Sequence, residues 1–132
     1  MVVARCLVAL GALCCVMHPW SSAVSVAAER AAEIERFERK VRPLLVKRCG
    51  KCHSGAKPRA GLDLVRVERL LKGGRSGPVV IPGNPTGSLL IQAIRRKGPG
   101  RMPQGGQLQE SEILDLVTWI KNGAATPPTD MP

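Results

Sequence analysis

Tyrosine is absent from this sequence, phenylalanine occurs once and tryptophan twice, so aromatic residues make up 2% of the 132. A core drawn from such a chain is aliphatic, and a large buried non-protein group would supply the bulk that rings usually give. The shortage also removes the stacking platforms used by proteins that bind single-stranded nucleic acid. A net charge of +10 therefore reads as a surface for an acidic partner, with no nucleic acid involved. Long apolar runs are missing too. The longest, "CLVALGALCCVM" from Cys6 to Met17, has twelve residues, against the ~20 that a membrane span needs. There is no internal repeat.

That short run has a recognisable frame. Arg5 precedes it, His18-Pro19 ends it, and "SSAVSVAA" (21–28) follows with small residues. The order is that of a secretory signal peptide over residues 1–28, cleaved after Ala23 or Ala28. The competing reading is an uncleaved anchor. Cleavage leaves no stable membrane span and implies a periplasmic or secreted protein. It also takes away Cys6, Cys14, Cys15 and His18. What remains for soft-metal or thiol chemistry is Cys49, Cys52, His53, Met102 and Met131.

Helical patterning dominates the rest. Residues 29–48, "ERAAEIERFERKVRPLLVKR", place Ile34, Phe37, Val41 and Leu44/Leu45 at three- and four-residue spacing, which predicts an amphipathic helix. Pro43 cannot donate to the Arg39 carbonyl. The helix therefore kinks there, or a second one starts with Pro43 in its first turn; both deliver Cys49 at a helix end. Loop follows over 54–61, then a short extended piece and one or two helical turns up to Gly73-Gly74. "RSGPVVIPG" (75–83) is bounded by prolines and reads as loop more than strand. Asn84 and Pro85 are the expected cap and first residue of a helix with the stripe Leu89, Leu90, Ala93 and Ile94. Arg95, Arg96 and Lys97 belong to its last turn, and Gly98 stops it. "PGRMPQGG" (99–106) is a Pro/Gly loop that displays Met102. The last helix runs from about Glu110 to Asn122, with Ile113, Leu116/Val117 and Ile120 buried and Gln109 as a weak cap. The organisation is thus a domain over 29–124 and a flexible tail or truncated linker over 125–132.

Charge is uneven along this domain. From Lys47 to Arg101, thirteen Lys/Arg stand against Asp63 and Glu68, a net of +11; from Gln104 onward the net is −3.

Chemistry concentrates in "RCGKCHSG" (48–55). A C-x-x-C pair serves zinc binding, thiol–disulfide exchange, a plain disulfide or covalent haem attachment. Structural zinc wants four Cys/His ligands, and at most three remain. A redox dithiol usually stands in a strand–helix unit, and this chain alternates helices with Pro/Gly loops. A disulfide between Cys49 and Cys52 would close a two-residue loop and add little. The histidine directly after the second cysteine favours haem c: two thioethers to one porphyrin edge, with His53 as proximal iron ligand. Met102 is then the candidate for the opposite face, since a neutral thioether raises the reduction potential. Met131 is a poorer rival, and core packing of Met102 is the alternative.

The order of helix, C-x-x-C-H, Met-Pro loop and C-terminal helix resembles class I cytochrome c. The runs "FERKVRPLLVKRCGKCHSG", "LLKGGRSGPVVIPGNPTGSLLIQAI" and "RMPQGGQLQESEILDLVTWIKNGA" resemble the planctomycete-type cytochrome c domain. The resemblance implies an all-α fold of about four short helices with Pro/Gly-rich loops around one covalent haem c. It implies thioethers at Cys49 and Cys52 and iron between His53 and Met102. It further implies that the first and last helices cross, packing Phe37 and Leu45 towards Trp119 and Ile120. Gln109 departs from the Ser or Thr usual at that cap. A carbonyl between Gly77 and Gly83 is the expected partner of the second His53 nitrogen, and Arg59, Arg75 or backbone amides are candidates for the haem propionates.

The function these features imply is single-electron transfer by an exported monohaem cytochrome, not an enzyme, docking on an acidic redox partner. The alternatives are a haem enzyme or ligand sensor with a labile Met102, and the electron-transfer module of a larger secreted oxidoreductase. A non-haem binding module is the third class.

Overall fold

The structure, a computed structural model, describes residues 20–128. The leader expected over 1–28 lies mostly outside them. Within them the fold is all-α, as expected. Helix α1 (Trp20–Arg36) leads through a π-helical turn (Phe37–Val41) into α2 (Arg42–Cys49). After a 3₁₀ turn (Arg59–Gly61) come α3 (Val67–Leu70), α4 (Leu89–Arg95) and α5 (Glu110–Lys121). Among the described residues the only β pairing is an isolated bridge between Gly74 and Gly77.

Pro43 explains the first break. It sits in the first turn of α2, where its missing N–H costs no bond. The turn before it widens so that the Arg42 N–H reaches back to the Phe37 carbonyl, five residues away. The backbone stays helical at Arg36, Val41 and Arg42, so the π turn joins α1 and α2 in one continuous helical run. The π turn also points both Phe37 and Val41 inward, where they are buried.

The N-terminal part of α1 is exposed over residues 24–32, and its first tie to the body is the Asn122 amide donating to Glu33 at 2.9 Å. From Phe37 on, the chain builds the core. Phe37 and Trp119 stack with ring centroids 5.4 Å apart, and Leu45 and Ile120 are buried in the same cluster. The expected contact between the first and last helical segments is thus present. The core is otherwise aliphatic, with Leu64, Leu70, Val80, Ile91, Leu116 and their neighbours.

Helix α4 and the segment after α5 differ from their sequence expectations. Helix α4 starts at Leu89 behind Ser88, not at Pro85. Asn84 instead closes a tight turn, its Oδ1 accepting the Gly87 N–H at 2.9 Å. At the other end Arg96 is already extended (φ −62°, ψ 136°), so Arg96 and Lys97 lie beyond the helix. Helix α5 begins behind Gln109 as expected, but Glu112 accepts the Gln109 N–H at 2.7 Å. That bond satisfies a donor at the start and offsets the weak cap. The segment expected as flexible from 125 is tied to the body at its start, where the Trp119 indole donates to the Ala125 carbonyl at 2.9 Å.

Candidate functional site

The turn after α2 holds Cys49, Cys52 and His53 in one compact loop. The Gly50 N–H reaches back to the Leu45 and Val46 carbonyls at 2.9 and 3.2 Å. A Cβ on Gly50 would fall 2.5 Å from the Val46 oxygen, so the first spacer residue has room for glycine only. The Cys52 and His53 amides then both donate to the Cys49 carbonyl, at 3.1 and 2.9 Å. The Ser54 hydroxyl donates to the Gly50 carbonyl at 2.7 Å. His53 is fixed from both sides, because its own carbonyl accepts the Leu64 N–H at 2.9 Å.

Leu64 is in turn placed by Asp63, which sequence reasoning did not single out. Asp63 is fully buried. Its Oδ1 accepts the Val65 and Arg66 amides at 3.0 and 3.2 Å. Its Oδ2 has no hydrogen-bond partner and only Arg66 Nε nearby, at 3.4 Å. The signal was present in "LDLVR", where an aspartate can close an Asx-type turn on its own backbone.

The side chains fit a covalently attached, iron-containing group. Cys49 and Cys52 are both free thiols, half-buried. Burial pushes the Cys49 thiol up to about 11, with the Arg48 guanidinium offsetting part of that rise. A thiol so protonated at neutral pH is a poor thiolate, which goes against dithiol exchange. Among the described residues no group of three or more His, Cys, Asp and Glu side chains gathers to hold a metal, so a protein-only zinc centre lacks a ligand set there. The Nδ1 of His53 is buried and has no hydrogen-bond partner. The expected bond to a carbonyl between Gly77 and Gly83 is not formed; the Val79 and Ile81 carbonyls serve Leu90 and Asn84 instead. Nδ1 is the nitrogen that the carbonyl was expected to take, so its lack of a partner does not mark it as reserved for another group.

Met102 lies in the loop between α4 and α5, half-buried and packed against the core. Its N–H donates to the Ala93 carbonyl at 3.0 Å, and its peptide bond to Pro103 is cis. Two arginines flanking the cysteine turn reach this loop. Arg48 donates to the Gln107 carbonyl, and Arg59 to the Gln104 side chain at 3.4 Å. The Met102 loop and the turn carrying His53 are therefore neighbours. Met131, the rival thioether, lies outside the described residues. Arg59 and Arg75, the two propionate candidates, stand on adjoining loops, since the Arg75 N–H donates to the Ala60 carbonyl at 2.9 Å.

Residues 49–106, from the first cysteine to just past the Met102 loop, match the family described as Planctomycete cytochrome C. Over this segment the chain is similar to a planctomycete-type cytochrome c domain. Comparison with curated proteins and with solved structures finds no match. A cytochrome c domain takes covalent haem, and Cys49 and Cys52 are the cysteines inside the matched segment. Among the described residues no helix is long and apolar enough to cross a membrane.

Proposed function

We propose that this protein is an exported, monohaem carrier of single electrons, with its iron held between His53 and Met102. The observation that carries the reading is the Cys49–His53 turn within the matched segment. Two unpaired thiols and the His53 imidazole stand on one hydrogen-bonded turn.

Haem c, when bound, supplies a one-electron iron couple. The chain's residues supply the rest. Cys49 and Cys52 fix the group covalently to the end of α2. His53, its backbone bonded on both sides, presents the proximal nitrogen. The Met102 thioether, soft and neutral, favours the reduced state and so raises the potential. His53 and Met102 would together hold the iron, which would leave carriage of an electron as the chemistry that the bound group supplies. Lys51, Lys57 and Arg59 are exposed around the turn and Arg101 stands at the Met102 loop, a basic rim for an acidic redox partner. The leader over 1–28 supports export to the compartment where haem c is attached.

Expression with a c-type maturation system, followed by a pyridine haemochrome assay, tests the reading. The wild type should carry one covalent haem per chain, and Cys49→Ala with Cys52→Ala should abolish the linkage. No covalent haem in the wild type overturns the proposal. Met102→Ala should lower the potential and open the ferric iron to added ligands. A wild-type ferric spectrum that is already high-spin, with rapid carbon monoxide binding on reduction, would favour the sensor or enzyme reading instead.

A further inference from the structure

Three parts of the molecule meet at Arg48, the residue directly before Cys49. Its Nη2 donates to the Gln107 carbonyl and lies 3.5 Å from Glu112 Oε2, with the side chain 29% exposed. The same Glu112 oxygen accepts the Gln109 N–H that starts α5. One guanidinium thus joins the cysteine turn, the end of the Met102 loop and the last helix. From Pro103 to Gln107, the Gln107 carbonyl is the only hydrogen-bonded backbone group among the described residues. The other tie, Arg59 to Gln104, is exposed and long at 3.4 Å. Both bonds come from a guanidinium, but the Arg48 side chain is the more buried and also pairs with Glu112, which makes it the stronger tie.

We propose that Arg48 is a positioning residue, a latch that holds the Met102 loop against the Cys49–His53 turn and so sets how firmly Met102 is presented. The second half of this statement rests on Met102 being the iron ligand. The first half does not. A lysine cannot replace the latch fully. Both contacts are made by the single Nη2 at the far end of the guanidinium, a point that the shorter lysine stem reaches less readily with its ammonium.

The test uses the haem-loaded full chain and two readouts. One is hydrogen exchange at the Met102 amide, which bonds to Ala93. The other is the rate at which added imidazole binds the ferric form. Arg48→Ala should speed both by about tenfold, the loss expected for one hydrogen bond to a charged group. Arg48→Lys should fall between it and the wild type. The amides of Leu45, Leu116 and Trp119, in the buried core, should exchange as before.

Wild-type values for both readouts in Arg48→Ala overturn the latch. So does faster exchange spread equally through the core, because Arg48 would then act on global stability alone. If Arg48→Ala does not mature, Arg48→Lys decides: intermediate rates support the latch and unchanged rates sink it. Met102→Ala separates the two readings. An unchanged ferric spectrum there removes Met102 as ligand, and the latch is then judged on amide exchange at position 102 in that background.

Discussion

Phe37 is the only phenylalanine in the sequence, and it sits at the centre of the helix crossing. Trp119 lies against it at 5.4 Å between centroids, and the Arg42 guanidinium lies 5.1 Å from the ring centroid. Arg42 is held in place by a two-bond pair with Glu38, at 2.6 and 2.7 Å. Besides Trp119, the buried side chains of this core are aliphatic. Phe37→Ala should therefore cost about 3–5 kcal/mol, the usual range for a buried ring, read as a fall in the denaturant midpoint of the haem-loaded protein. A loss below about 1 kcal/mol would show that the crossing collapses around the gap. This pair was legible in the sequence only through the family resemblance. Periodicity put Phe37 on a buried face, but nothing in the spacing names Trp119 as its partner.

At the scale of elements, sequence reading succeeded where one force acts and slipped where two compete. The apolar stripe of α5 and its start behind Gln109 follow directly from spacing. Asn84-Pro85 looked like a helix start because both residues suit one. The Gly87 amide takes the Asn84 side chain first, which delays the helix to Leu89. The residue that organises the junction is Ser88, which is fully buried. Its hydroxyl accepts the Ile81 N–H and donates to the Asn84 carbonyl, both at 2.8 Å. Ser88→Ala removes the partner of the Ile81 amide and the Asn84 carbonyl and should cost about 1–2 kcal/mol. Asn84→Ala acts at an exposed turn and should cost less than about 1 kcal/mol. Urea unfolding of the two variants side by side checks the order, and the reverse order would return the cap to Asn84. The π turn was equally hidden. Pro43 announced a break but could not choose between a kink and a new helix, because that choice depends on burying Phe37 and Val41 together.

Over the whole molecule, the charge segregation seen along the sequence becomes a division of labour in space. The acids of α5 are spent inside the fold: Glu110 pairs with Arg95 at 2.7 Å, Glu112 with Arg48 at 3.5 Å and Asp115 with Lys40 at 3.5 Å. Among the described residues, Lys51, Lys57, Arg59 and Arg101, around the cysteine turn and the Met102 loop, form no ion pair. The cysteine turn and the Met102 loop were legible as C-x-x-C-H and a later methionine; the arginine ties that bring them together were not, since a basic run reads only as a solvated surface. The excess positive charge at this face should steer an acidic redox protein towards it. Raising ionic strength from ~0.01 M to ~0.15 M shortens the screening length from ~30 Å to ~8 Å. The second-order rate of electron exchange with an acidic redox protein should then fall by about tenfold or more. Lys57→Glu should lower the low-salt rate and flatten its salt dependence, while leaving the reduction potential near that of the wild type because Lys57 is exposed. Stopped-flow mixing across a salt series measures both. A rate that does not change with salt would mean that the partner docks elsewhere, and that the positive charge around the cysteine turn serves something other than docking.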